Sequence, residues 1–204
     1  MAVDDITDDP RTTAVRRAVI AVALLNLGYF GIEFAVALAI GSVSLFADSV
    51  DFLEDASVNL LILFALRWSA PARAWLGMVL AVVLLVPALA GLWTAGEKFF
   101  TPAVPEPLPL TITGLGALIV NLSCAIMLAR VRHHHGSLTR AAFLSARNDA
   151  FANLAIIAAG LISAFLWHSI WPDLIVGVGI ACLNADAAHE VWEAAHAERK
   201  AAKA

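Results

Sequence analysis

Apolar residues run along this chain in blocks longer than one buried face of a soluble helix requires. Six stretches stand out, at about 16–40, 44–66, 74–97, 109–130, 140–167 and 173–195. Several reach the ~20 residues a helix needs to cross ~30 Å of hydrocarbon at ~1.5 Å per residue. Polar or helix-breaking residues separate them: Gly41-Ser42, Pro71, the proline-rich run Thr101 to Pro109, the basic stretch Arg130 to Arg140, and Trp171-Pro172. Short connections make sequential neighbours antiparallel. The pattern predicts an all-α membrane protein of six transmembrane helices within residues 16–196. A disordered tail is expected at 1–15 and a polar, alanine-rich tail at 197–204, with no separate soluble domain after the last helix.

Composition agrees. Hydrophobic residues make up 61% of the 204 and charged residues 15%, with a mean hydropathy of +0.82. A soluble domain has about 45–50% and about 25%. The net charge of −4 suggests neither a nucleic-acid surface nor a polybasic lipid-binding one. Cys124 and Cys182 lie apart in apolar runs, which predicts packing cysteines rather than a disulfide framework or a Cys-x-x-Cys site. The start of the chain, with Asp4, Asp5, Asp8 and Asp9, lacks the positive n-region of a signal peptide. Basic residues set the orientation. Arg11, Arg16, Arg17, Arg67, Arg73, Arg130, Arg132, Arg140, Arg199, Lys200 and Lys203 fall on one side, and the other side offers Lys98. Both termini are therefore expected in the cytoplasm. Trp171 and Trp192 sit where interfacial anchors of the last helix belong.

The charges inside the second span change the picture. Asp48, Asp51, Glu54 and Asp55 all lie within it. At about 2.5–3.5 kcal/mol for each central charge, such a helix facing lipid carries a penalty near ~10 kcal/mol. Asp48, Asp51, Asp55 and Asn59, at i, i+3, i+7 and i+11, share one face, which must look into the bundle. Glu54 lies off that stripe and is read as a structural or entrance group. The fifth span carries a matching face of Ser145, Asn148, Asp149 and Asn153. Two antiparallel i, i+4 pairs, Asp51/Asp55 and Ser145/Asp149, then meet near mid-membrane, with Asp51 near the level of Asp149. Three carboxylates at one point repel unless a divalent cation or protons neutralise them, and that competition is the basis of metal/proton exchange. Taken singly, Asn26, Asn59, Asn121, Asn153 and Asn184 read as interhelical packing residues.

These residues resemble the cation diffusion facilitator family of metal/proton antiporters. Gly41-Ser-Val-Ser-Leu-Phe-Ala-Asp48 is similar to the family's entry into its second helix, and Asp51 and Asp55 fall on its His/Asp-x-x-x-Asp metal pair. Asn121-Leu-Ser resembles its fourth-helix motif, Arg140 to Asp149 its fifth, and Trp171-Pro-Asp173 the turn opening its sixth. The resemblance implies metal ligands at Asp51, Asp55 and Asp149. It departs at Ser145, where the family has histidine or aspartate, so water, Asn148 or a backbone group is left for the fourth position. Losing an imidazole favours oxygen-loving ions such as manganese, iron or cobalt, although carboxylates also bind zinc. The family's cytoplasmic metal-sensing domain is not seen, so a homodimer is expected to form through transmembrane helices. The loop Arg67 to Arg73 has no histidine or acid for an additional metal site.

Two further clusters have ligand chemistry. His133, His134 and His135 could pass metal to the site or simply form a solvated basic loop. Asp186, His189 and Glu193 share a face near the end of the last helix, as an accessory metal site or a solvated helix end. The expected function is export of a divalent cation (zinc, cobalt, manganese, iron or cadmium) from the cytoplasm in exchange for protons, with Asp48 as a proton or ion relay. The metal is substrate, with no permanently bound cofactor, and the location is a bacterial inner membrane. The chain is not expected to be an enzyme. The alternatives are a passive cation channel, a metal sensor or an intramembrane aspartyl hydrolase; the last lacks its usual Gly-x-Gly-Asp signature.

Overall fold

A computed structural model describes residues 10–65, 92–131 and 136–201, together with 75, 78, 79 and 89. All the described secondary structure is helical: α1 (Pro10–Ile40), α2 (Val43–Ala65), α3 (92–100), α4 (Pro107–Val131), α5 (Gly136–Phe165) and α6 (Trp171–Ala201). Most of the third stretch, 74–97, and the loop 67–73 lie outside the described residues. The outer helices are longer than their apolar runs. α1 begins at Pro10, within the segment 1–15 read as a tail, and α6 continues to Ala201. Proline suits a first helical turn, because its missing N–H has no partner there anyway. Once nucleated, a helix propagates through polar residues at little further cost.

The outside is apolar and the inside partly polar. Ile112, Ile119 and Ile126 form an i, i+7, i+14 stripe on α4 that is 60%, 58% and 56% exposed. Glu33, Asp48, Asn26 and Asn153 are fully buried. Among the described residues, Thr13–Ile40, Pro107–Arg130 and Ala146–Phe165 are long and apolar enough to cross a membrane. The 23 residues of α2 are long enough but contain four acids. α2 is packed against α1, α5 and α6, and α4 packs against α5 and α1. Two apolar clusters bracket the polar interior. One joins Ala37, Leu45, Phe46, Leu110, Ile156 and Ile180; the other joins Val22, Cys124, Leu128 and Ala146. Asn26 and Glu33 of α1 and Asn153 of α5 fall between these clusters. Cys124 packs as expected, but Cys182 is exposed on α6, because its position faces away from the bundle.

One corner holds the helix ends together. Gly41 adopts φ 64°, the left-handed region open to glycine, and Ser42 N–H donates to Ala37 C=O at 3.0 Å to close α1. Ser42 then caps α2, its Oγ accepting from Leu45 N–H at 3.1 Å. Asp173, at the start of α6, accepts from Ser42 Oγ (2.6 Å), Val43 N–H (2.9 Å), Ser44 N–H (3.2 Å), Ser44 Oγ (2.6 Å) and Lys98 Nζ (3.0 Å). Lys98 also donates to the Gly41 carbonyl. A Cβ on Gly177 would lie 2.6 Å from Ser44 N, so glycine is what lets α6 touch the start of α2. Lys98 is therefore only 5% exposed and belongs to this ion pair, not to a free surface.

Removing one member of a buried pair strands the other. Asp173→Ala is expected to destabilise the protein by about 3–5 kcal/mol. Lys98→Met should do less, because Asp173 keeps its four donors from 42–44. Thermal unfolding in detergent checks the order, and equal losses would contradict it.

Candidate functional site

The site is built from the middles of α1, α2, α4 and α5. Asp55 lies twelve residues into α2, about 18 Å from its start at ~1.5 Å per residue, and so deep in the bundle. Asn26 of α1 donates from Nδ2 to Asp55 Oδ2 at 3.3 Å, and Cys124 of α4 donates from Sγ to Asn26 Oδ1 at 3.5 Å. This chain links three helices and aims the Asp55 carboxylate. Asp149 of α5 reaches Asp55 closely enough to share a hydrogen bond, and it couples electrostatically to Asp51. Asp149 therefore approaches the Asp55 end of the α2 pair, with Asp51 within electrostatic range. Asp55 is buried, whereas Asp51 and Asp149 are partly buried.

The two acid-bearing helices share a local device. Asn59 donates from Nδ2 to the Asp55 carbonyl, and Asn153 does the same to the Asp149 carbonyl, both at 2.7 Å. Each asparagine stands one turn beyond its aspartate, and each leaves a buried Oδ1 without a hydrogen-bond partner. α2 and α5 run antiparallel, since the end of α5 precedes the start of α6, which packs on the start of α2. The arrangement brings negative groups from two opposed helices together, with amides around them and no buried cation beside them among the described residues. Such a centre suits a cation in transit. No three His, Cys, Asp or Glu side chains converge on one point among the described residues, so the acids are neighbours but not closed on each other.

Other expected site residues are placed differently. Asn148 is exposed and accepts from Arg147 at 3.3 Å, so the structure does not bring it to the acids. It lies one position before Asp149, a rotation of about 100° around the helix. The Ser145 side chain and residues His133, His134 and His135 lie outside the described residues. Asp186 is exposed, and His189 pairs with Glu193 at 3.3 Å on the exposed end of α6. The structure does not gather these three into a cluster. Glu54 is partly buried beside Asp55.

Two buried groups were missed in the sequence. Asn26 looked like a lone packing amide, and nothing in its spacing links it to Asp55, 29 residues on. Glu33 of α1 is fully buried and faces Asp48 of α2. As a lone acid within an apolar run, it carried a signal that should have singled it out.

An all-helical bundle with an apolar exterior and carboxylates at its centre is the build of a membrane transporter for cations. The family follows: a model of the cation efflux transmembrane domain matches residues 19–195, and the chain belongs to that family, one of transporters and not enzymes. It is similar to the zinc transporter ZitB of Yersinia pestis, 28% identical over 177 residues, which cover 78% of this chain and 57% of that protein. It is also similar to the cation-efflux pump FieF of Salmonella typhi, 28% identical over 182 residues, covering 83% and 61%. The FieF of Escherichia fergusonii is 31% identical over 157 residues, covering 70% and 52%. The chain spans little more than half the length of the curated relatives it matches. Its apolar helices and its family make it an integral membrane protein.

Asn26→Leu would strip Asp55 of its amide donor. Metal-free protein in detergent is expected to lose about 1–3 kcal/mol, read as a lower unfolding temperature. An unchanged temperature would show that the Asn26–Asp55 bond does not hold the site.

Proposed function

We propose that the chain is the transport unit of a secondary transporter that exports a divalent transition-metal ion in exchange for protons. The observation that supports this most is the nearness of Asp149 of α5 to the Asp51/Asp55 pair of α2, close enough to couple, inside a bundle whose exterior is apolar. In this reading the metal is substrate and its ligands are Asp51, Asp55 and Asp149. The hydroxyl of Ser145, one turn before Asp149, or a water completes the set. Six spans, cytoplasmic termini and a homodimer formed through transmembrane helices complete the proposal.

The exchange follows from electrostatics. A divalent ion offsets most of the charge of three carboxylates. When it leaves, protons replace it, because the ligands cannot remain together as bare anions in a low-dielectric interior. Access would alternate by tilting helices around the fixed centre. The zinc transporters among the relatives favour zinc as one substrate. The oxygen-only ligand set favours manganese, iron or cobalt as well.

Uptake of zinc, cobalt and manganese into proteoliposomes, with and without an opposing pH gradient, tests the reading. Asp51→Ala, Asp55→Ala and Asp149→Ala are each expected to abolish flux. Flux in wild type that ignores the pH gradient would indicate a passive channel instead. Ser145→His adds an imidazole and is expected to raise zinc affinity relative to manganese by about tenfold or more, as nitrogen ligands favour zinc. A competition panel by titration calorimetry would show this, and an unchanged ratio would remove position 145 from the site.

A further inference from the structure

Glu33 and Asp48 form the one acid pair that the central site does not absorb. Both are fully buried, and none of their four carboxyl oxygens has a hydrogen-bond partner among the described residues. Their carboxyls nevertheless face each other closely enough to couple. Asp48 lies about 8 Å from the start of α2 and Asp55 about 18 Å, at ~1.5 Å per residue, so the pair occupies a shallower level than Asp55. Glu33 matches that level from α1, seven residues before Ile40.

The surroundings offer no compensation. On α1 the nearest ionisable neighbour is Tyr29, whose hydroxyl is committed to the Thr113 carbonyl at 2.6 Å and whose ring packs on Phe52 at 5.0 Å. On α2 the next acid is Asp51, and on α5 it is Asp149; both are negative when ionised. α4 has no charged side chain before Arg130, and the one acid at the start of α6, Asp173, is held by Lys98. Asp173 shows how a structural carboxylate is accommodated here, with five donors. Glu33 and Asp48 have none among the described residues, and a cation between them would offset their charge. A divalent metal held by two carboxyls beside a committed tyrosine would have to draw the rest of its shell from water. A proton needs only the two facing oxygens.

We propose that Glu33 and Asp48 are a proton-binding station between the outer face and the Asp51/Asp55/Asp149 centre, and that it loads the proton exchanged against the metal. The proposal rests on the antiport reading. A proton entering from the outer side forms an O–H bond on one carboxylate of the pair. That bond breaks as a new O–H bond forms on Asp51, one turn deeper, when the metal leaves. Charge balances at each step, and no other reactant is needed.

Two measurements on the full chain decide it. Infrared difference spectra of metal-free wild type between acidic and alkaline buffer are expected to show the carbonyl band of a protonated, buried carboxyl. The acids of the centre absorb in the same region, so one component of that band, not the whole of it, should be lost in Glu33→Gln. If the band persists unchanged, the pair does not hold the proton. In proteoliposomes without a membrane potential, the limiting zinc accumulation ratio changes by about tenfold per pH unit for each proton exchanged. Glu33→Gln is expected to lower the slope of its logarithm against the pH gradient by one proton, with zinc affinity at the centre as the control. An unchanged slope would overturn the station even where that component is lost. A wild type with no slope would refute antiport itself, while the band still decides where the proton sits.

Discussion

A carboxylate in a low-dielectric interior must be met by donors or by a cation, and this constraint sorts the acids of the bundle. Asp173 is met completely: two serine hydroxyls, two backbone amides and an ammonium surround it. Its chemistry is that of a joint, holding α2, α3 and α6 at one end. Asp55 takes a hydrogen bond from the Asn26 amide of α1. Glu33 and Asp48 are not met at all among the described residues. The fewer fixed donors a buried acid has, the more its charge depends on something mobile.

The same constraint explains the fold's division of labour. α1 and α4 bring apolar surface to the outside and single polar groups inward, so they serve as walls that carry Asn26, Glu33, Tyr29 and Cys124 to the acids. α2 and α5 bring the acids themselves and are shielded by those walls. The asparagines one turn beyond Asp55 and Asp149 bind back to the helix carbonyl beside each acid, at 2.7 Å. Their free buried oxygens extend the polar interior without adding charge. A transit site gains from such a lining, because amide oxygens can receive a cation but do not hold it as tightly as another carboxylate would.

Much of this was legible in the sequence, for definite reasons. Helices long enough to span a bilayer announce themselves by apolar runs, and four acids inside one such run mark α2 as an interior helix. Helix ends were less legible: α1 reaches back to Pro10 because helical hydrogen bonding does not stop where hydrophobicity does. Within the site, Asp51, Asp55 and Asp149 were readable because each pattern repeats on its own helix. Asn148 was placed on the same stripe, yet one step of helical rotation turns it to the surface. Asn26 and the Lys98–Asp173 pair were missed because each contact is made across helices, where spacing along the chain carries no information; Glu33, a lone acid in an apolar run, was legible and was overlooked.

In the proposed transporter the metal binds between α2 and α5 and not at the histidine loop or the tail of α6. Anomalous diffraction from crystals of protein loaded with zinc or cobalt locates the ion directly. The account predicts a peak beside Asp51, Asp55 and Asp149, lost in Asp55→Asn. Peaks confined to His133–His135 or to Asp186, His189 and Glu193 would contradict it.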